Sequence, residues 1–443
     1  MSKEKVIIIG AGLAGSLLAI YLAQRGIETE IYEARGDMRR ESMSAGRSIN
    51  LALSDRGIAA LREVGMDEYM LAEAIPMHGR MIHSVDGACK LLPYSGRKGE
   101  YINSVSRGGL NSALMTEAEK YREVRIHFNE KCVDFDAATG AAQFASGRTT
   151  QGSTVIAADG AGSAVRQAML RGAVPRFDFS QKWLAHGYKE LHIPPGPDGD
   201  FQMEANALHI WARRSFMMIA LPNADRSFTC TLFLAHEGEN SFAELVDEAA
   251  LLRFFETNFA DAIPPMPTLV ADFFDNPTGN LGTVKCFPWN VGGRALLLGD
   301  SAHAVVPFYG QGMNASFEDC RILNQMIDRH GTDWAKIFPL FADARKPNAD
   351  AIAAMAEENF YEMRDAVADP VFQRKRELET RLEQTFPDYF SKYSMVTFRE
   401  DLPYAVAREK GNAQDRLLME ICANTENVGE MDLREVLEKV RSV

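Results

Sequence analysis

An α/β fold is predicted by three features of this 443-residue sequence. A short β-branched run over 5–9 ends at a glycine-rich turn that opens a helical stretch. A second strand-like run follows within about 30 residues, which is the size of one strand–helix–strand unit. Farther along, the pattern changes to a strand-rich middle and then, from 334 onward, to charged amphipathic helix. Together these predict a Rossmann-like dinucleotide-binding domain, a strand-rich second domain and a C-terminal helical segment.

The elements follow in order. Residues 5–9 read as a buried strand, 13–25 as a helix and 28–33 as the next strand. A helix is expected over 55–64, ending near Gly65. Residues 79–105 alternate apolar and polar side chains around turns, which predicts antiparallel strands interrupting the α/β pattern. Helix returns at 108–121, and strands at 123–134 and 153–158. The stretch 176–290 is strand-rich, with helical patterning at 242–259 and a loop at the Pro/Gly-rich 194–199. Residues 294–300 read as another buried strand, followed by a loop and a helix over about 313–330. The nucleotide-binding domain is therefore expected to be discontinuous, assembled from 1–75, 106–175 and 285–330. Residues 76–105 and 176–284 form the second domain, and 331–443 the helical segment.

Composition narrows the function. The chain carries 48 Lys plus Arg against 61 Asp plus Glu, a formal charge of −13. That balance argues against nucleic acid as a partner, because phosphate backbones need a basic face. Apolar residues make up 46% and charged residues 25%, as in ordinary globular proteins and unlike disordered or coiled-coil chains. The six cysteines are widely spaced and form no C-x-x-C pair, which fits reduced thiols. The nine histidines never form H-E-x-x-H, and no metal is expected. The first apolar run, 6–24, is broken by glycines and reads as neither signal peptide nor membrane helix. A cytoplasmic protein is expected.

Gly10-Ala11-Gly12-Leu13-Ala14-Gly15 is G-x-G-x-x-G between a strand and a helix, and Glu33 ends the next strand. Gly10 permits the tight turn, Gly12 lets backbone approach a pyrophosphate, and Gly15 lets helix pack on sheet. The helix N-terminus, beginning at Leu13 and Ala14, offers unpaired N–H groups to phosphates. Glu33 can accept hydrogen bonds from ribose hydroxyls, with Arg35 beside the adenine. This motif does not separate FAD from NAD(P). A second anchor does: Gly299-Asp300 at the end of the strand over 294–300, and then Pro307 through Asn314. The Asp300 carboxylate can hold a ribityl hydroxyl. Pro307 stiffens the loop, and Gly310 and Gly312 bring backbone N–H groups to a flavin edge ahead of Met313 and Asn314. His303, nearby, reads as a packed loop residue.

These motifs, with Ala158-Asp159-Gly160, resemble the FAD-dependent aromatic-ring hydroxylase family. Within it, the similarity is to the kynurenine-hydroxylating members. It is carried by the stretches 46–54, 76–83, 101–107, 307–320 and Glu362-Met363-Arg364. His78 stands where that family has a basic residue. The charged end, 431–443, implies a form without a membrane anchor. The resemblance implies FAD as cofactor, NADPH as co-substrate, and hydroxylation of L-kynurenine to 3-hydroxykynurenine by O2 through a flavin C4a-hydroperoxide. It assigns Arg80 and Tyr94 to the substrate carboxylate, Asn359 and Tyr393 to further substrate contacts, Phe308 to the ring pocket, and Arg107 to the FAD phosphates. No catalytic base is nominated, because the substrate's aniline nitrogen activates the ring carbon. The assembly is expected to be a monomer or homodimer. The near miss at 160–165 leaves no second nucleotide motif, which fits a class without a separate NADPH domain. Rival readings are a hydroxylase of another aromatic acid, a plain NAD-dependent dehydrogenase and a flavin-binding protein without turnover.

Overall fold

The protein is described by a computed structural model covering residues 4–40, 50–364 and 369–443. Residues 46–49 of the 46–54 stretch lie outside the described residues. A six-stranded sheet forms the nucleotide-binding half. Its order is Asn290–Val291, Ala295–Leu297, Thr154–Ala157, Lys5–Ile9, Glu28–Tyr32 and Val124–His127. All neighbours run parallel except the first pair. Parallel strands are covered on both faces, which explains the unbroken apolar runs; Val6, Ile7 and Ile8 are fully buried. The helix Leu13–Gln24 packs against the helices Arg107–Glu119 and Gly312–His330.

A seven-stranded sheet forms the second half, in the order Gly279–Phe287, Asp178–Ile193, Phe228–Ala235, Met217–Pro222, Ala207–Ala212, Gly79–His83 and Cys89–Pro93. Only the Ala207–Ala212/Gly79–His83 pair is parallel. One face of this sheet buries Trp211, Phe228, Phe255 and Phe259. The other brings Ile210, Met217 and Phe233 against the 305–309 loop and the long helix Trp334–Arg364. The strands between 76 and 105 divide between two sheets. Gly79–His83 and Cys89–Pro93 extend the large one, whereas Ile102–Ser106 pairs with Asn50–Leu53 and Ile75–Met77 in a small bridging sheet.

Local boundaries shift at several points, and the run expected as strand over 123–134 divides into Val124–His127 in the six-stranded sheet and Cys132–Asp136 in a separate three-stranded one. The helix expected over 242–259 starts at Glu248, because the Asp247 carboxylate caps it by accepting from Ala250 N at 2.8 Å. A short helix, Leu269–Asp275, stands in a region read as strand. The loop expected after the 294–300 strand begins with one helical turn, Asp300–His303, entered through Gly299 at φ +59°.

Among the described residues five α-helices close the C-terminal end: Trp334–Arg364, Pro370–Thr385, Lys392–Thr397, Tyr404–Ala423 and Leu433–Arg441. Pro370–Thr385, Tyr404–Ala423 and Leu433–Arg441 share a core that includes Leu378, Leu382, Leu418 and Val436, whereas Lys392–Thr397 places Met395 and Val396 in the core behind the large sheet. Among the described residues no helix is long and apolar enough to cross a membrane. All six cysteines are free, and only Cys89 is exposed.

Buried charges join these helices to the nucleotide half. The Asp319 carboxylate accepts from His303 Nε2 at 2.6 Å, Arg345 Nε at 2.7 Å and Gly299 N at 3.1 Å. His303 is thus a packing residue of the loop. Burial pushes the Asp319 pKa up, but His303 and Arg345 outweigh burial and hold it below the ordinary 3.8. A carboxyl whose folded pKa is depressed contributes stability above its unfolded value and loses it as pH falls through the folded value. Asp319→Asn is therefore expected to cost about 3–5 kcal/mol at neutral pH, as for a broken buried pair. It should also flatten the fall in stability at acid pH. Urea midpoints against pH for both proteins check this, and equal slopes would refute it.

Candidate active site

The glycine turn packs as tightly as its sequence requires. Gly10 sits at φ +101°, and a Cβ there would lie 2.5 Å from Ala158 O. A Cβ at Gly15 would overlap Gly10 O. At Gly12 a Cβ would meet no atom within 4 Å. Leu13 and Ala14 open the helix there. The Glu33 carboxylate accepts from Ala11 N at 2.8 Å and from Arg35 Nε at 2.7 Å. Burial raises its pKa, but the Arg35 hydrogen bond and charge bring it below the ordinary value, so Glu33 is anionic. Arg35 thus pairs with Glu33 while its side chain remains largely exposed. Arg107 is exposed at the first position of its helix, whose N-cap Ser106 accepts from Gly109 N at 3.1 Å.

The second anchor lies across the strand ends. Asp300 is exposed at the start of its helical turn. Behind it, Ser301 Oγ donates to Asp159 Oδ1 at 3.0 Å and accepts from Gly160 N at 3.0 Å, which ties the two loops together. Pro307 begins a 3-10 turn, Pro307–Tyr309, ending in left-handed Gly310 at φ +67°. Gly312 starts the following helix, in which Met313 is buried in the nucleotide-half core. The Asn314 side chain is consumed by the fold. Its Oδ1 accepts from Ser54 N at 3.0 Å, and its Nδ2 donates to Ala52 O and Gly310 O at 2.8 Å each. Its contribution is to shape the 307–312 loop, so only its backbone is left to face a ligand.

Beside this loop the large sheet and the C-terminal helices enclose a polar cavity. Its lining includes Arg80, Tyr94, Tyr309, Glu362, Arg376 and Tyr393. Arg80, on Gly79–His83, is buried and donates to Glu362 Oε1 at 3.0 Å. Burial disfavours the guanidinium charge, but Glu362, with Tyr393 and Tyr94, more than offsets that, so its pKa stands above the ordinary value. Tyr94 and Tyr393 stack with centroids 5.0 Å apart, and Tyr393 stacks on Tyr309 at 5.7 Å. The Arg80 guanidinium lies 5.2 Å from the Tyr393 ring and 5.9 Å from that of Tyr94. Burial raises the pKa of all three tyrosines, so their hydroxyls stay protonated. The Tyr94 hydroxyl is buried, with the Arg80 guanidinium and the Tyr393 hydroxyl near it, yet makes no hydrogen bond of good geometry among the described residues. Phe308 is buried 4.4 Å from the Phe360 ring and 4.9 Å from that of Phe233. Asn359 is buried on the long helix and donates to Phe308 O at 2.6 Å. That bond anchors the loop carrying Phe308 and occupies its amide N–H.

A family model described as "FAD binding domain" matches residues 3–337. Kynurenine 3-monooxygenase of Myxococcus xanthus (strain DK1622) is 48% identical over 99% of this chain and 95% of its own length. The enzyme of that name from Dictyostelium discoideum is 44% identical over 97% and 96%. The chain belongs to the kynurenine 3-monooxygenase family. The fold is also that of more distant solved structures. The tetrameric form of 2-methyl-3-hydroxypyridine-5-carboxylic acid oxygenase superposes with a TM-score of 0.67 at 17% identity, over 88% of this chain and 99% of that one. PqsL of P. aeruginosa, in complex with 2-aminobenzoylacetate, gives 0.67 at 19% identity over 82% and 97%.

For a member of this family the residues present fit FAD. The open approach at Gly12 lies at a helix N-terminus, where a pyrophosphate gains backbone N–H groups and the helix dipole. Asn111 donates to Ala11 O at 3.1 Å, and its Oδ1 is buried without a partner among the described residues. An acceptor left over beside the glycine turn suits a nucleotide hydroxyl or amine. The motif reading missed Asn111, although it stands one helical turn after Arg107 on the same helix. It also missed Tyr309 and Arg376. Arg376 donates to the Tyr94 carbonyl at 3.3 Å from a helix almost 300 residues away in sequence, and nothing local signals that contact. Glu362 was legible only as part of a motif, three residues after Asn359 on one helix face.

Proposed function

We propose that this chain is a flavin monooxygenase that hydroxylates L-kynurenine to 3-hydroxykynurenine with NADPH and O2. One observation carries the reading: a buried guanidinium, Arg80, stands among Tyr94, Tyr309 and Tyr393 beside the Phe308 loop, in a chain of this family. L-Kynurenine has an amino-acid carboxylate at one end and an aniline ring at the other. Arg80 binds the carboxylate through charge-assisted hydrogen bonds. The buried Tyr94 hydroxyl, beside Arg80, donates to the same group and so gains a well-formed hydrogen bond. Glu362, beside Arg80, is an anion placed for the substrate's ammonium. Burial raises its pKa, but Arg80, Lys375 and Lys392 together hold it below the ordinary value. Phe308 and Asn359 shape the ring pocket, Tyr393 stacks behind it, and the aromatic walls exclude water.

Glu33, Asn111, Gly12 and the helix opening at Leu13 hold the adenosine and pyrophosphate part of FAD, with Arg107 near the phosphates. Asp300 and the backbone of 310–314 hold the ribityl chain and ring edge. Bound FAD supplies hydride acceptance from NADPH and activation of O2. One oxygen atom enters the ring ortho to the amino group, and the other leaves as water. The aniline nitrogen activates that carbon, and the Arg80 clamp fixes its distance from the oxidant.

The test is NADPH oxidation in air by purified protein, with and without L-kynurenine, with the product identified. Stimulated oxidation giving 3-hydroxykynurenine is expected. Stimulation yielding only H2O2 would make kynurenine an effector and overturn the substrate assignment. Separately, Asp300→Ala is expected to purify with less than half the flavin of the parent, read from the protein-to-flavin absorbance ratio. Full occupancy would remove Asp300 from the ribityl site.

A further inference from the structure

The Tyr94–Tyr393–Tyr309 stack joins three separate parts of the chain, and one buried side chain outside the pocket connects two of them. Arg56, on the helix Asp55–Glu63, has a side chain with no solvent exposure. Its Nη1 donates to Glu318 Oε1 at 2.7 Å. Its Nε donates to Val396 O at 2.9 Å, and its Nη2 donates to Leu402 O. Its guanidinium carbon lies 3.9 Å from the Tyr404 ring centroid. Tyr404 in turn donates to Gln311 Oε1 at 2.9 Å, and Gln311 lies two residues after Tyr309. Val396 belongs to the same short helix as Tyr393, Lys392–Thr397. Glu318 belongs to the helix that begins at Gly312.

We infer that Arg56 is a positioning residue for hydroxylation: it pins the Tyr393 helix to the Pro307–Gly312 loop, and so sets the carboxylate end of the substrate site relative to the flavin end. The guanidinium is suited to this because its planar donors reach a carboxylate and two carbonyls in different directions at once. Lysine offers a point charge without that fork. The desolvated charge is balanced by Glu318, which Arg345 also pairs at 2.5 Å. Arg56 touches none of the cavity-lining atoms described above, so it acts through Tyr393, Tyr404 and Gln311. If those parts drift by as little as 1 Å, the substrate binds less tightly and its ring is held less well for oxygen transfer, so that NADPH oxidation would yield H2O2 from O2 in place of product.

This inference rests on the proposed kynurenine hydroxylation, so the parent protein is the control for that reading. Arg56→Lys and Tyr404→Phe are compared with it in three measurements. These are flavin content, the kynurenine dissociation constant from the change in flavin absorbance, and product formed per NADPH oxidised. The expected result is parental flavin content, a dissociation constant raised at least fivefold in Arg56→Lys, and product per NADPH reduced at least twofold in both variants, with the missing electrons recovered as H2O2. A parent that neither binds nor hydroxylates kynurenine would sink the functional reading. A functional parent, with both variants keeping its affinity and its product ratio, would overturn the role of Arg56 alone. Variants that lose flavin and activity in proportion, with the product ratio unchanged, would show a merely structural role and overturn it as well. Should Arg56→Lys fail to fold, the product ratio of Tyr404→Phe decides, since that variant removes only one hydroxyl.

Discussion

Replacing Arg80 by Met is expected to raise the KM for kynurenine at least about 30-fold while FAD stays bound. Truncating one partner of a buried, hydrogen-bonded charge pair costs roughly 2–5 kcal/mol, and each 1.4 kcal/mol is about tenfold in affinity. Part of that cost is the charge left behind. Glu362 faces Arg80 at 3.0 Å; without the guanidinium only Lys375 and Lys392 are left to balance it, and the negative charge it retains repels the substrate's carboxylate. Arg80→Met/Glu362→Gln should therefore recover part of the lost affinity, whereas Arg80→Lys should recover charge without bidentate geometry. Steady-state kinetics with flavin absorbance as a loading control read all three. A near-parental KM in Arg80→Met would remove Arg80 from the substrate site.

The second large effect separates two glycines that the motif treats alike. In Gly15→Ala the new methyl would overlap the Gly10 carbonyl oxygen and press on Ile8 Cγ2 at 3.3 Å. Backbone cannot yield there as a flexible side chain would, so the first helix must lift off the sheet. A loss of about 4 kcal/mol or more is expected, in the range reserved for core overpacking and strain. Gly12→Ala is different. Gly12 has φ −73°, a conformation alanine adopts freely, and the methyl would touch nothing in the protein. Its apoprotein should unfold at the parental urea concentration, yet FAD affinity should fall at least tenfold, because the methyl stands where a pyrophosphate approaches. Denaturation of apoprotein together with flavin titration distinguishes the cases. Gly12→Ala with parental flavin affinity would place the dinucleotide elsewhere.

Legibility followed the range of the interactions. The first strand, the glycine turn, the helix Leu13–Gln24 and the strand Glu28–Tyr32 could be read because each is dictated by residues within one or two turns of one another. Parallel strands, buried on both faces, also announce themselves by unbroken β-branched runs. The strands between 76 and 105 could be recognised as strands, but not sorted. Ile102–Ser106 takes Asn50–Leu53 as a partner, whereas Gly79–His83 takes Ala207–Ala212. Alternation of apolar and polar side chains specifies a face and is silent on the neighbour. The same limit held at the site. Arg80, Tyr94, Asn359 and Tyr393 were nameable from motif resemblance. That Asn359 holds the Phe308 carbonyl, that Asn314 spends its amide on Ala52 and Gly310, and that Arg35 locks onto Glu33 are side-chain pairings that no spacing reveals.

What the sequence by itself determined is therefore the nucleotide-binding turn, the class of fold and the family, since these rest on local backbone demands and contiguous motifs. What only the tertiary structure decided is the union of Arg80, Tyr94, Tyr309, Glu362 and Tyr393 in one cavity, and the Arg56 contacts behind it. These residues come from four distant segments. They meet because burying a charged or hydroxyl group is tolerable only where another segment brings it a partner. That constraint acts on the folded chain as a whole and leaves no periodic trace in any one part of it.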